Sequence, residues 1–328
     1  MAEVTYREAL RRALDEELAR DPDVFLMGEE IGRFEGSYKV TAGLWAKYGG
    51  KRVRETPISE EGFVGAGIGA AMLGLRPVVE IMTINFIIPA MDMVVNHAAK
   101  VRSMFGGEVG VPLVIRTPGG AGAQLTAQHS QSLEAWFAHV PGLKVVAPSN
   151  PWDAYGMLKT AIRDEDPVLF VENLVLYNLT GEVPDEGSDI TVPFGQANVV
   201  REGTDLTIIA HSYTVRRALN IADRFLQEGI SVEVVDLRAE LAEGNRGLLS
   251  RPLVTAIGAL DRAAGDRAIL VINRRGTASV VLCRDCGEAQ RCPECDRPLV
   301  FHQAGNTLRC HICGTASPPA TRSGLATA

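Results

Sequence analysis

Apolar and polar positions along the chain alternate between two periods. Thr5 followed by Glu8 forms a capping-box pattern, and Leu10, Ala13, Leu14 and Leu18 then recur at helical spacing, so a helix opens the chain. Short apolar runs bounded by turn residues follow: Val24 to Met27, Pro77 to Met82, Val111 to Ile115, Leu143 to Val146 and Val168 to Val171. These predict strands. Between them Phe63 to Leu73, Phe86 to Met104, Ser130 to His139 and Trp152 to Arg163 carry a helical pattern. Such alternation predicts an α/β fold, a parallel sheet covered by helices on both faces, over residues 1–180.

Residues 181–204 are rich in Gly, Pro, Asp and Glu and predict a surface linker. A second α/β unit occupies residues 205–238, with strands at Leu206 to Ala210 and Ser231 to Leu237 around an amphipathic helix from Val215 to Gln227. Its pattern stops after Arg238, which predicts a truncated domain of two strands. Ala239 to Ser250 is polar, Pro252 to Ala263 is helical in pattern, and Ala268 to Ile272 is a strand candidate. Residues 314–328, rich in Ala, Ser, Thr and Pro, predict a disordered tail.

Composition changes this picture in two places. The chain of 328 residues is 46% hydrophobic and carries a net charge of −7 without a basic stripe, so a nucleic-acid partner is not expected. The start Met1-Ala2-Glu3-Val4 has no basic n-region, and Val64 to Leu73 is too short to span a bilayer; a cytoplasmic, membrane-free protein is the expectation. All six cysteines lie between Cys283 and Cys313, so the last quarter is a different kind of protein. They form three CxxC pairs. Cys292, Cys295, Cys310 and Cys313 would supply four thiolates to a closed tetrahedral zinc site, leaving Cys283 and Cys286 as an incomplete one. Disulfides or idle thiols are the alternative reading.

Candidate chemistry in the larger part centres on Glu55-Thr56-Pro57-Ile58-Ser59-Glu60-Glu61-Gly62-Phe63, where acidic residues end a strand and begin a glycine-rich helix. By residue physics alone, Glu60 and Glu61 complement the helix dipole and the glycines permit close packing. His129 in Ala-Gln-His-Ser is equally a helix-terminal hydrogen bonder, and His97 is structural.

The run Glu55 to Gly69, the segment Glu80 to Phe86, the helix Asp92 to Arg102, Thr126 to Glu134, Gly28-Glu29-Glu30 and Pro141 to Pro148 resemble, in the same order, the β subunits of thiamine-diphosphate-dependent 2-oxo acid dehydrogenase E1 components, the pyruvate dehydrogenase type. The resemblance covers residues 1–238. It implies a transketolase-like pyrimidine-binding domain that takes part in oxidative decarboxylation and acyl transfer to lipoamide. Glu60 matches the carboxylate that hydrogen-bonds N1′ of the thiamine aminopyrimidine, favouring the imino tautomer that takes the proton from thiazolium C2. Ile58, Met82 and Phe86 match the apolar pocket around it, and would bury Glu60 and disfavour its charge. Glu29 matches a supporting acid near the cofactor, and His129 a histidine facing the substrate. The carbonyls of Leu113, Ala161 and Asp164, with the Asp166 region, resemble a monovalent-cation (K⁺) site. The superfamily writes its Mg²⁺-diphosphate site as Gly-Asp-Gly, which this chain lacks. An E1 α subunit in an α₂β₂ assembly would therefore complete the cofactor.

Residues 238–322 resemble another family, the zinc-binding region of the primosomal replication-restart helicase, through Gly244-Asn245-Arg246, Ser250 to Leu253, Leu270 to Gly276 and the cysteine pairs. With no Walker A pattern the chain is not expected to be a helicase. The junction reads as a fusion of two truncated genes, natural or made during sequence assembly. The shortened second domain is expected to weaken docking to the E2 lipoyl acyltransferase. The rival reading is a zinc-stabilised nucleic-acid-handling module with an incidental N-terminal part.

Overall fold

The computed structural model describes residues 1–121, 124–237, 291–295, 299–302, 307–310 and 313–317. The chain divides into two compact units, Met1–Gly258 and Ala259–Ala328. Expectations for 239–290, including Cys283 and Cys286, and for the tail beyond 317 lie outside the described residues.

Strand β1 (Ala2–Thr5) leads into α1 (Tyr6–Arg20), whose cap is the expected one: the Glu8 backbone N–H donates to Thr5 Oγ1 over 3.2 Å. Then follow β2 (Val24–Gly28), α2 (Leu44–Tyr48), β3 (Val53–Glu55), α3 (Glu60–Met72) and β4 (Arg76–Glu80). The segment expected as one helix from Phe86 to Met104 is broken. A 3₁₀ turn at Ile84–Ile87, a π-helical stretch at Met93–Ala98 and α4 (Val101–Met104) replace it. Pro89 has no N–H to give, so a regular ladder cannot run through it. Next come β5 (Val114–Gly119), α5 (Glu134–Ala138), β6 (Lys144–Val146), α6 (Pro151–Arg163), β7 (Val168–Asn173) and β8 (Thr180–Val183).

Six of these strands form a wholly parallel sheet in the order β3-β2-β4-β5-β7-β6. Successive side chains of a strand point to opposite faces. Leu26, Val78, Val114 and Phe170 accordingly pack against α1 and α6, while Met27, Val79, Ile115 and Leu169 pack against α3 and the 84–101 region. Two cores thus sandwich the sheet, as the buried apolar runs require.

The stretch expected as a linker contributes two strands. β8 pairs antiparallel with β1, and β9 (Asn198–Arg201) pairs antiparallel with β11 (Val232–Asp236). β10 (Leu206–Ala210) runs parallel to β11 through the crossover helix α7 (Tyr213–Gln227). The sheet of the smaller α/β part therefore has three described strands, β10-β11-β9, rather than two. Both added strands are four residues long and partly polar, too short to show a period. In the other unit β12 (Val300–His302), β13 (Thr307–Arg309) and β14 (Ala316–Ser317) make a small antiparallel sheet.

Candidate active site

From β2 the chain steps to one side, to β3, and then to the other side, to β4. The carboxyl ends of β2 and β4 consequently border the crevice where open α/β sheets bind ligands. β2 ends at Gly28 and delivers Glu29 there. A Cβ on Gly28 would lie 2.6 Å from the Glu80 carbonyl, so only glycine lets the two strand ends approach. Glu29 is 6% exposed, and its Oε1 has no hydrogen-bond partner. Burial, then the charges of Glu60, Glu30 and Glu80, push its carboxyl up from 4.5 to about 7. Near neutral pH it holds a proton for about half the time.

Glu60 opens α3 and is partly buried, close enough for its charge to act on Glu29. The expected apolar burial around it is incomplete in this chain. Ile58 is 82% exposed, and Met82 and Phe86 are half-buried. The reason is positional: Ile58 lies in the coil between β3 and α3 and belongs to neither core that sandwiches the sheet.

Phe86 sits in the 3₁₀ turn after β4 and meets His129, whose ring centroid is 5.1 Å away at an interplanar angle of 86°. His129 ends a 3₁₀ turn, Ala127–His129, and its Nδ1 is buried with no partner. Two bonds attach its loop to the strand ends. Asn85 Nδ2 donates to Gln131 Oε1 over 3.0 Å, and the Gly120 N–H donates to the Gln131 carbonyl over 2.9 Å. Glu29, Glu60, Met82, Phe86 and His129 thus all lie beyond the carboxyl ends of the parallel strands. His97 lies elsewhere, exposed beside Asp92 at 3.3 Å.

Three charged residues near these strand ends, to which the motifs assign no role, form a buried cluster. Arg116 of β5 is 1% exposed and forms ion pairs with Glu80 of β4 and Glu172 of β7. Its Nη2 donates to Glu172 Oε2 over 2.9 Å, and the Tyr177 hydroxyl donates to the same oxygen over 2.5 Å. Burial raises the Glu172 carboxyl despite the nearby Arg116 charge. Their signal in the sequence is one charge near the end of each apolar run: Val-Val-Glu80, Val-Ile-Arg116, Phe-Val-Glu172.

At the opposite end of the sheet lie the residues expected around a monovalent cation, and protein donors already engage them. The Leu113 carbonyl accepts from Val168 N at 2.8 Å, the Ala161 carbonyl from Asp164 N at 3.3 Å, and the Asp164 carbonyl from Arg76 Nη1 at 3.2 Å. Lys144 pairs with the Asp164 side chain at 2.7 Å, and Arg102 with Asp166 at 2.6 Å.

In the smaller unit the ligand atoms of Cys292, Cys295, Cys310 and Cys313 lie within 4.8 Å of one another. The Sγ separations include 3.4 Å (Cys292 to Cys313), 3.3 Å (Cys295 to Cys310) and 3.8 Å (Cys295 to Cys313). A tetrahedron with Zn–S bonds of ~2.3 Å has edges of about 3.8 Å, so the cluster is compatible with zinc. Hydrogen bonding with the Thr315 hydroxyl and backbone, then with Cys292, lowers the Cys313 thiol to about 6, toward the thiolate a metal needs.

The family model "Transketolase, pyrimidine binding domain" matches residues 2–178, more than half of the chain. The chain belongs to that family. After its pyrimidine-binding domain, the models "Transketolase, C-terminal domain" and "PriA DNA helicase Cys-rich region (CRR) domain" match residues 195–239 and 292–318. Among its homologues are the mitochondrial pyruvate dehydrogenase E1 component subunit beta-2 of Oryza sativa subsp. japonica, 54% identical over 241 residues, and the mitochondrial subunit beta of Bos taurus, 51% over 238. The matches cover 72% of this chain and 64% and 66% of those relatives, so it spans slightly less than two thirds of their length. Of solved structures, a split-gene transketolase described as an inactive beta4 tetramer aligns with a TM-score of 0.57 at 22% identity, covering 72% of each chain. A transketolase from Pichia stipitis gives 0.57 at 15% identity, covering 78% of this chain and 37% of its own. Both likenesses bear on the fold of the pyrimidine-binding family. Among the described residues no helix is long and apolar enough to cross a membrane.

Proposed function

We propose that this chain supplies the aminopyrimidine-binding half of a thiamine-diphosphate-dependent 2-oxo acid dehydrogenase, completed by an E1 α subunit that brings the Mg²⁺-diphosphate half. The observation that carries this reading is the buried Glu29, within reach of the Glu60 charge at the switch point between β2 and β4. An unpartnered, buried Glu29 oxygen and an unpartnered His129 Nδ1 are suited to a polar ligand that satisfies both.

When bound, thiamine diphosphate supplies the carbon nucleophile and electron sink for decarboxylation. Glu60 would hold the proton at N1′ of the aminopyrimidine, with Met82, Phe86 and Ile58 as the apolar surface on which that ring rests. Ile58, so exposed in the isolated chain, would be covered by the ring and the partner. Glu29, which holds a proton for about half the time near neutral pH, would in that state donate a hydrogen bond where an ionised neighbour would repel Glu60. His129 would face the substrate, held in orientation by Phe86. The similarity to pyruvate dehydrogenase subunits supports pyruvate as the substrate.

The test is reconstitution. The chain alone, the chain with an E1 α subunit, and the same mixture without thiamine diphosphate are assayed for decarboxylation of pyruvate and of a branched-chain 2-oxo acid. Activity only in the complete mixture supports the reading, and activity of the chain alone overturns it. We further propose that Cys292, Cys295, Cys310 and Cys313 hold one zinc ion, on the strength of their sulfur separations.

A further inference from the structure

The 3₁₀ turn that follows β4 grips the His129 loop at two points. Phe86 meets the His129 ring, and its chain neighbour Asn85 donates from Nδ2 to Gln131 Oε1 over 3.0 Å. Asn85 is 7% exposed and its amide is engaged at both ends, since the hydroxyl of the buried Thr83 donates to Asn85 Oδ1 over 3.1 Å. A polar side chain so deeply buried costs folding free energy unless its hydrogen bonds are made. Asn85 makes one of them to an exposed residue of a distant loop. Thr83 fixes the plane of the amide, and the amide fixes Gln131.

The loop needs such a hold. Gln124 and Thr126 carry full side chains yet lie at positive φ, 53° and 72°, and Thr126 with ψ −177° occupies a region open essentially to glycine alone. Residues 124–128 are exposed, so little packing keeps them in this conformation. Among the described residues, the hydrogen bonds that tie 126–131 to the strand ends both go to Gln131: from Asn85 Nδ2 to its side chain and from the Gly120 N–H to its carbonyl. A residue held at both its carbonyl and its side chain cannot turn about its own backbone. His129, two positions earlier, takes its direction from that fixed point.

We propose that Asn85 is a positioning residue for His129: by holding the Gln131 side chain it keeps a strained loop in the conformation in which the histidine ring meets Phe86. This rests on the reading above, in which His129 faces the substrate. Asn85 and Gln131 act through the histidine and have no chemistry of their own there. Neither belongs to the two apolar cores, so breaking their bond leaves the packing of the sheet in place. A reacting group displaced by about 1 Å costs on the order of 100-fold in rate, so the effect falls on the chemical step.

The full chain is assembled with an E1 α subunit, thiamine diphosphate and Mg²⁺, and decarboxylation of pyruvate is followed. Asn85→Leu and Gln131→Leu should each lower kcat about tenfold with KM for pyruvate within about twofold, and the double variant should be no slower than either single one. Gln131→Glu, which keeps the acceptor oxygen, should recover most of the loss. In a His129→Ala background Gln131→Leu should slow the enzyme no further. Hydrogen exchange of the full chain should show amides 124–131 exchanging about tenfold faster in both leucine variants, with those of β5 and β7 unchanged. Gln131 is exposed, so its leucine variant decides the matter even where Asn85→Leu does not fold. If Gln131→Leu matches the parent in kcat and loop exchange while the wild-type mixture is active, the positioning proposal is wrong and the functional reading stands. If it slows the His129→Ala enzyme as much as it slows the parent, the bond does not act through His129 and the proposal falls. A wild-type mixture without activity overturns the functional reading itself, and the proposal with it.

Discussion

The rings of Phe86 and His129 stand almost perpendicular, with centroids 5.1 Å apart, so the histidine's direction is set by an aromatic neighbour from a different part of the chain. Edge-to-face pairs contribute ~0.5–1.5 kcal/mol beyond the area they bury. Phe86→Leu would keep an apolar wall and lose this orientation. In the reconstituted enzyme it should lower kcat by about tenfold with KM for the 2-oxo acid little changed, since misplacing a reacting group costs the chemical step. An equal rise in KM would show that Phe86 only binds.

Glu60→Gln should cut decarboxylation by roughly 10²- to 10⁴-fold, the range of general acid–base help, while sedimentation shows an intact complex. Turnover near that of the parent would remove Glu60 from the proposed chemistry.

Glu29 makes stability depend on pH in a direction opposite to most carboxylates. Its folded value, about 7, exceeds the ordinary 4.5, so the folded state binds the proton more tightly. Stability is full below about pH 4.5, is lost as pH rises toward 7, and stays lost above it. Glu29→Gln should therefore stabilise the chain at pH 8 by roughly 1–3 kcal/mol and scarcely at pH 4.5. Thermal melts of both proteins from pH 4.5 to 8 decide the matter. Parallel curves would mean that Glu29 titrates normally.

Arg116→Met would leave Glu80 and Glu172 buried without their counter-charge. A loss of roughly 3–5 kcal/mol in urea unfolding is expected, and adding Glu172→Gln should recover part of it. A single mutant as stable as the parent would show that the two carboxylates are neutral without Arg116.

Metal analysis under reducing conditions should give about one zinc per chain, and Cys295→Ser should abolish it. None in the parent would set the four sulfurs aside as a metal site.

Five strands of the large sheet were legible because each is a buried apolar run, whereas β3, Val-Arg-Glu with two exposed residues, is not one; Thr5 with Glu8 announced the first helix. The order of those strands was not, since nothing local tells β4 to lie on the far side of β2 from β3. Glu60 and His129 were legible only through family motifs. Glu29's proton affinity was hidden, because it depends on burial and on the charges of Glu60, from α3, and Glu80, from β4, which only the fold brings near. The exposure of Ile58 was misjudged for the converse reason: an apolar residue beside a motif looks buried until the elements around it are placed. Left-handed Glu30, Glu35 and Lys39 gave no sign either, because the residues that favour such angles are glycine and asparagine.

The buried trio of Arg116, Glu80 and Glu172 bears on how the sheet is assembled. The arginine is 36 and 56 positions from its two partners, so no fragment of the chain can satisfy it early. A sheet that closes with β4 or β7 displaced by one residue turns a charge toward the wrong core and leaves it dry and alone. Such a mistake costs roughly 3–5 kcal/mol, which disfavours the displaced sheet against the aligned one. The same three charges therefore favour one alignment of three strands against one another, fixed at a single point.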